Sequence, residues 1–278
     1  MTRTAAVAVW VLGALTVALL CTDPVPQAIV LGGAWTLLAR RRVTGRRLRP
    51  LGIGLALLGL VTVALNGMLS HTGDSVLGVL PSWMPLVGGQ VTAEGFASGA
   101  SIALGLVTAV SVTAVLSVVV EPTDLVDALP RPFQHAGAAL GAALNLVPAT
   151  AASFVAVREA QRLRGWRPRG ARAMVDLAVP VLLGAIDRST QLAESMEARA
   201  FGAGRRTTMT ADDRSARLIA LTVASVLALA MAVGLHAGGS GDGWYPYPVP
   251  TVPSVAPLVL APALLVALAG ALVPRELR

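Results

Sequence analysis

Residues 133–157 read FQHAGAALGAALNLVPATAASFVAV, 25 residues without Asp, Glu, Lys or Arg. A membrane-crossing helix needs about 20 mostly apolar residues, so the stretch is long enough to span a bilayer. Whether it does so decides between six and seven crossings, and the residues after it argue against. If it crossed, Arg158, Arg162, Arg164, Arg167, Arg169 and Arg172 would be left on the far side, and residues 173–186 would return while carrying Asp176 and Pro180. An acidic side chain at mid-bilayer costs about 2.5–3.5 kcal/mol on insertion scales. The expectation is therefore of apolar helices that stay on the inner side, packed on each other and on the membrane face.

Working outward, the whole chain has membrane composition: of 278 residues, 55% are apolar and 13% charged, and mean hydropathy is +0.70. Soluble domains carry about twice that charge. Six uncharged stretches are expected to cross, at about 5–21, 25–39, 51–70, 97–120, 218–235 and 254–273. The first two read as a helical hairpin turned by Asp23-Pro24-Val25-Pro26, and Pro257 and Pro262 predict a kink in the last. A cleaved leader is not expected, because Leu20 is too large for a processing site before Cys21 and a second apolar helix follows at once. Gly99, Gly105, Gly137 and Gly141 are candidates for close helix approach, a weak signal in so alanine-rich a chain.

All 22 basic residues are arginine. The absence of lysine removes a P-loop ATP site and a Schiff-base nucleophile. One cysteine, Cys21, excludes an internal disulfide, and His71, His135 and His236 have no metal-site spacing. Arginine placement sets orientation. Arg40, Arg41, Arg42, Arg46, Arg47 and Arg49 fill one loop and Arg275 and Arg278 end the chain, whereas residues 22–24, 71–95 and 236–253 contain none. Both termini are thus expected in the cytoplasm, with Cys21 at the outer face. The net charge of +7 belongs to inner loops rather than to a nucleic-acid-binding face.

The fold expected is an all-α membrane protein of about six transmembrane helices with a cytoplasmic domain of long helices between the fourth and fifth: residues 1–120, 121–217 and 218–278. The middle segment holds 13 arginines and 10 acidic residues. Thr123 can cap a short helix that Pro130-Arg131-Pro132 stops. Two long helices follow, from about 134 to 164 and from about 172 to 201, with bends expected at Pro148 and Pro180 and stops at Gly165 and Gly202. Each finishes on an arginine among small or apolar neighbours followed by an aromatic: Gln161-Arg162-Leu163-Arg164-Gly165-Trp166 and Met196-Glu197-Ala198-Arg199-Ala200-Phe201. Singly, these are cations favoured at helix C-termini by the macrodipole. As a pair 35 residues apart they suit docking, since arginine's planar fork pairs with carboxylates while its stem packs on apolar surface.

These residues resemble the two Ala-Arg-Gly-type motifs of the transmembrane T component of energy-coupling factor (ECF) transporters, importers of vitamins and metal ions. The closer match is 196–202, with Arg205-Arg206-Thr207 after it. In the first motif Leu163 stands where alanine is usual, which makes Arg162 a secondary candidate beside Arg164. Glu121-Pro122-Thr123-Asp124-Leu125 and Pro148 resemble the lead-in. The resemblance implies that the long helices are coupling helices, with Leu163, Arg164, Gly165, Ala198, Arg199 and Ala200 contacting two ATPase subunits and Glu197 secondary. It implies ATP-Mg on those partners and no cofactor on this chain. It further implies a separate substrate-binding (S) membrane subunit, a lipid bilayer as the surrounding medium, and a multi-pass location in a prokaryotic plasma membrane. The chain itself would be no enzyme.

Two other classes compete. A stand-alone secondary transporter normally places ionisable groups at mid-membrane, and the six expected spans hold no Asp, Glu, Arg or Lys. A membrane enzyme would need a catalytic grouping, yet Asp176, Asp187, Glu194 and Glu197 match no such motif. Glu194 and Glu197 read instead as solvated faces or as helix partners of Arg188 and Arg199.

Overall fold

The computed structural model describes residues 3–40, 45–81, 89–127, 133–166, 172–200, 215–239, 244–247 and 256–273. These form α1 (Arg3–Leu20), α2 (Pro24–Arg40), α3 (Gly45–Leu69), β1 (Val76–Leu80), β2 (Gly89–Thr92), α4 (Ala93–Val119), α5 (Pro122–Asp127), α6 (Gln134–Leu163), α7 (Arg172–Ala198), α8 (Ala216–Ala237) and α9 (Pro257–Ala271). The protein is an all-α membrane protein apart from that one hairpin. Pro130-Arg131-Pro132, Gly202, Arg205-Arg206-Thr207, Arg275 and Arg278 lie outside the described residues.

Five helices, α1, α3, α4, α6 and α8, are long and apolar enough to cross a membrane. Length and arginine placement thus select different sets. At 17 and 15 residues, α2 and α9 reach roughly 25 and 22 Å, short of the ~30 Å hydrocarbon layer, yet they pack on each other within the membrane bundle. Helix α6 meets the length test without burying any of its apolar window. The chain separates into two compact units, Met1–Glu121 with Asp212–Arg278, and Pro122–Ala211.

In the first unit α4 packs against α1, α2 and α3, while α8 lies on α1 and on α9. Helix α1 buries Val7, Trp10, Ala14 and Val17, a 3.6-residue stripe. Trp10 Nε1 donates to the Val266 carbonyl at 2.8 Å, tying α1 to α9. Two glycines set the approach of neighbours: a Cβ on Gly13 would lie 3.0 Å from the Ser225 carbonyl oxygen, and one on Gly99 2.8 Å from Asn66 Cβ. Helix α3 leaves Ile53, Leu57, Leu60, Val61 and Leu65 exposed, a surface suited to lipid.

The α1–α2 turn is closed by Gln27, whose Nε2 donates to the carbonyls of Cys21 (2.8 Å) and Ala18 (3.3 Å), two acceptors at the end of α1. Cys21 is buried. A position just past the end of α1 therefore does not make it accessible. The loop after α3 holds an antiparallel hairpin, β1 with β2, that hydropathy alone did not anticipate. Thr92 caps α4 by accepting from Gly95 N–H at 3.3 Å and itself donates to the Thr72 carbonyl at 2.9 Å. Glu94, fully buried in the first turn of α4, accepts from Ser75 N–H at 3.1 Å.

In the second unit α6 packs on α5 and α7. Val126, Leu177 and Val181 are its buried apolar side chains among the described residues. Pro148 and Pro180 stand inside α6 and α7, and α7 ends at Ala198, three residues before the expected Phe201.

Candidate functional site

The end of α6 is built by hydrogen bonds rather than by simple fraying. Gly165 N–H donates to the Arg162 carbonyl at 3.0 Å and Trp166 N–H to the Gln161 carbonyl at 3.0 Å. With Gly165 at φ +82°, that is a Schellman closure: two otherwise orphaned carbonyls are satisfied and the chain reverses abruptly. Arg164 occupies the last position before the reversal, at φ −81° and ψ 8°. Its stem thus leaves a backbone fixed on both sides.

The end of α7 repeats this construction. Arg199 N–H donates to the Met196 carbonyl at 3.2 Å and Ala200 N–H to the Glu197 carbonyl at 2.9 Å. Ala200 lies at φ +52°, left-handed although it is not glycine. The inner of the two closing bonds is the same as in α6. The left-handed residue falls directly after the arginine in both helices; the expected stop at Gly202 lies outside the described residues. Alanine holds the left-handed conformation at a cost of about 1–2 kcal/mol.

All six motif residues and both secondary candidates are on the surface. Leu163 is 90% exposed, and Arg162, Arg164, Gly165, Glu197, Ala198, Arg199 and Ala200 are likewise exposed. Leu163 beside Arg164 offers an apolar contact next to a cation, a pairing of the kind that interfaces use. The structure brings the members of each motif together at a helix end, and the two motifs remain separate sites.

Two contacts in this unit escaped sequence reasoning. Trp166 Nε1 donates to Asp176 Oδ2 at 3.3 Å, and Arg188 Nη1 donates to Ser153 Oγ. Arg188 thus reaches across to α6 rather than along its own helix to Glu194. Helix α7 also exposes Val175, Val179, Leu182, Leu183 and Ile186, an apolar stripe at helical spacing.

The membrane unit contains a hollow of about 360 Å³ lined by residues that include Gln27, Ser98, Ser101, Trp244 and Tyr245, and among the described residues no acidic or basic side chain lines it. Glu94 is the acidic residue that α4 does take inside, at its first turn. Among the described residues no three His, Cys, Asp or Glu converge.

Known proteins resemble this sequence over part of its length. Residues 3–210 match CbiQ, described as cobalt transport protein. The chain is similar to two proteins named energy-coupling factor transporter transmembrane protein EcfT. One, from Thermosediminibacter oceani, is 29% identical over 168 residues, 54% of this chain and 60% of that protein. The other, from Listeria innocua, is 27% identical over 133 residues, 42% of this chain and 50% of that protein. The chain thus spans half to three fifths of the curated relatives it matches. The CbiQ match covers both motif arginines and most of the chain around them, so this multi-pass membrane protein belongs to the CbiQ cobalt transport protein family.

Proposed function

We propose that the chain is the T component of an ECF-type importer, a non-catalytic subunit that links ATP hydrolysis by two partner ATPases to movement of a separate substrate-binding membrane subunit. The observation that carries this reading is the matched pair of helix ends, each presenting an exposed arginine from a backbone closed by a left-handed residue. An ATPase movement shifts a membrane subunit only through contacts that differ between states, and rigid helices anchored at arginines supply such contacts. Arg164 and Arg199 each dock on one ATPase, with Leu163, Gly165, Ala198 and Ala200 shaping the contact and Arg162 and Glu197 at its edge. ATP-Mg stays on the partners, and this chain holds no cofactor.

In this reading α6 and α7 stay at the inner face of a prokaryotic plasma membrane, both termini are cytoplasmic, and the apolar stripe of α7 meets membrane or membrane-embedded surface. Truncating one partner of a buried, paired arginine costs about 3–5 kcal/mol.

The test is co-purification from native membranes of the wild-type chain against an Arg164→Glu, Arg199→Glu double variant. Two ATPase subunits should accompany the wild type and be lost from the variant. If no ATPase accompanies either, the arginines are ordinary inner-face charges and the stand-alone transporter becomes the better account.

A further inference from the structure

Two contacts fix how α6 and α7 lie on each other. Trp166, just past the end of α6, meets Asp176, and Ser153 meets Arg188. Between these points the chain runs 13 residues backward along α6 and 12 forward along α7, so the helices are antiparallel and in step over about 18–20 Å. The second contact is complete on its acceptor side: the Ser153 hydroxyl donates to the Ala149 carbonyl at 3.0 Å and receives Arg188. Gly184 lies one turn before Arg188, where a Cβ would stand in ordinary contact with Nη2 at 4.0 Å. Arg188 Nε is buried without a hydrogen-bond partner among the described residues.

The contact is a modest source of stability: Arg188 is part-buried, its acceptor is a neutral hydroxyl, and its buried Nε has no partner among the described residues. What the contact does supply is register. Ser153 stands 11 residues before Arg164, and Arg188 stands 11 before Arg199. With the helices antiparallel, the two arginines lie on opposite sides of the contact, about 16 Å of helix away in each direction. A slip of one turn would carry a motif arginine roughly 5 Å from its place.

We infer that Arg188 is a positioning residue: its bond to Ser153, midway between the two motifs, fixes the separation of Arg164 and Arg199. The geometric part stands on the second unit alone. Its consequence for coupling rests on the function proposed above.

The test uses the full chain in lipid nanodiscs with Cys21→Ser, and spin labels at Glu159→Cys and Glu194→Cys, exposed positions each six residues beyond the contact. Pulsed EPR distances are compared for wild type, Arg188→Lys, Arg188→Met and Ser153→Ala. Lysine keeps a donor near arginine's reach, and methionine keeps an unbranched apolar stem without one. The expectation is a narrow distribution for wild type and Arg188→Lys, and a distribution broadened or displaced by about one turn for Arg188→Met and Ser153→Ala, with Arg188→Met about as heat-stable as wild type. Equal distributions in all four overturn the inference, as does Arg188→Lys behaving like Arg188→Met. With the ATPase subunits added, Arg188→Met should bind the pair about tenfold more weakly and Arg188→Lys as tightly as wild type. Wild-type chain that binds no ATPase would defeat the coupling function while the distances still decide the contact.

Discussion

Arg164 and Arg199 hold the same backbone position: each is the residue after which its helix reverses, and each is followed by a left-handed neighbour, Gly165 at φ +82° and Ala200 at φ +52°. Two helices of unrelated sequence thus present their arginines from one type of closure, and that closure makes the pair comparable.

The closures differ in cost. Glycine adopts a left-handed backbone freely, while alanine forfeits about 1–2 kcal/mol. Ala200→Gly should protect the last turn of α7 by about 1 kcal/mol and Gly165→Ala should loosen the last turn of α6 by a similar amount, both read as amide hydrogen exchange at residues 160–166 and 196–200. Unchanged protection in both would mean that neither end is held by its left-handed residue.

Cys21 is buried, and a thiol without access to reagent does not react. A maleimide should label wild-type chain at neutral pH only after denaturation. This silence makes Cys21 a usable background for topology: Leu77→Cys, exposed in β1, should react with an impermeant reagent in intact cells, and Leu163→Cys only after permeabilisation. Labelling in the reverse order would invert the orientation drawn from arginine placement.

Gly99 marks a close approach of α3 to α4, a Cβ there falling 2.8 Å from Asn66 Cβ and 3.2 Å from the Val63 backbone. Backbone cannot yield as a flexible side chain can. Gly99→Ala should cost about 1–3 kcal/mol through overpacking, seen as a lower melting temperature in detergent, whereas Gly54→Ala, with nothing within 4 Å, should be neutral or slightly stabilising.

Trp10→Phe keeps an aromatic ring but removes the N–H that reaches the Val266 carbonyl. A loss of about 1 kcal/mol follows from the missing hydrogen bond, and a melting temperature equal to wild type would show the bond to be incidental.

Much of this was legible from residues alone, for identifiable reasons. The core of each membrane helix shows as an uncharged run, and Gly165 announces its own cap because the side chain that would oppose a left-handed turn is missing. The hairpin at Val76–Leu80 and Gly89–Thr92 was hidden because glycine at 78 and 89 breaks the alternation that marks a strand. Gln27 and Glu94 were hidden for a different reason: periodicity reports apolar faces, and a polar residue turned inward to bind a helix end or a loop N–H is indistinguishable in one sequence from one facing water. The contact of Arg188 with Ser153 joins residues 35 apart, and no local pattern encodes it.

The pairing of α1 with α8, and of α2 with α9, also has a consequence for biosynthesis. The N-terminal hairpin emerges from the ribosome first, while its packing partners begin only at Ala216 and Pro257. At roughly 5–20 residues per second, Trp10 of α1 waits about ten to fifty seconds for the α9 carbonyl it binds. The membrane bundle is therefore completed by its last helices, and a chain truncated before α8 leaves α1 and α2 with only α4 and each other as helical partners.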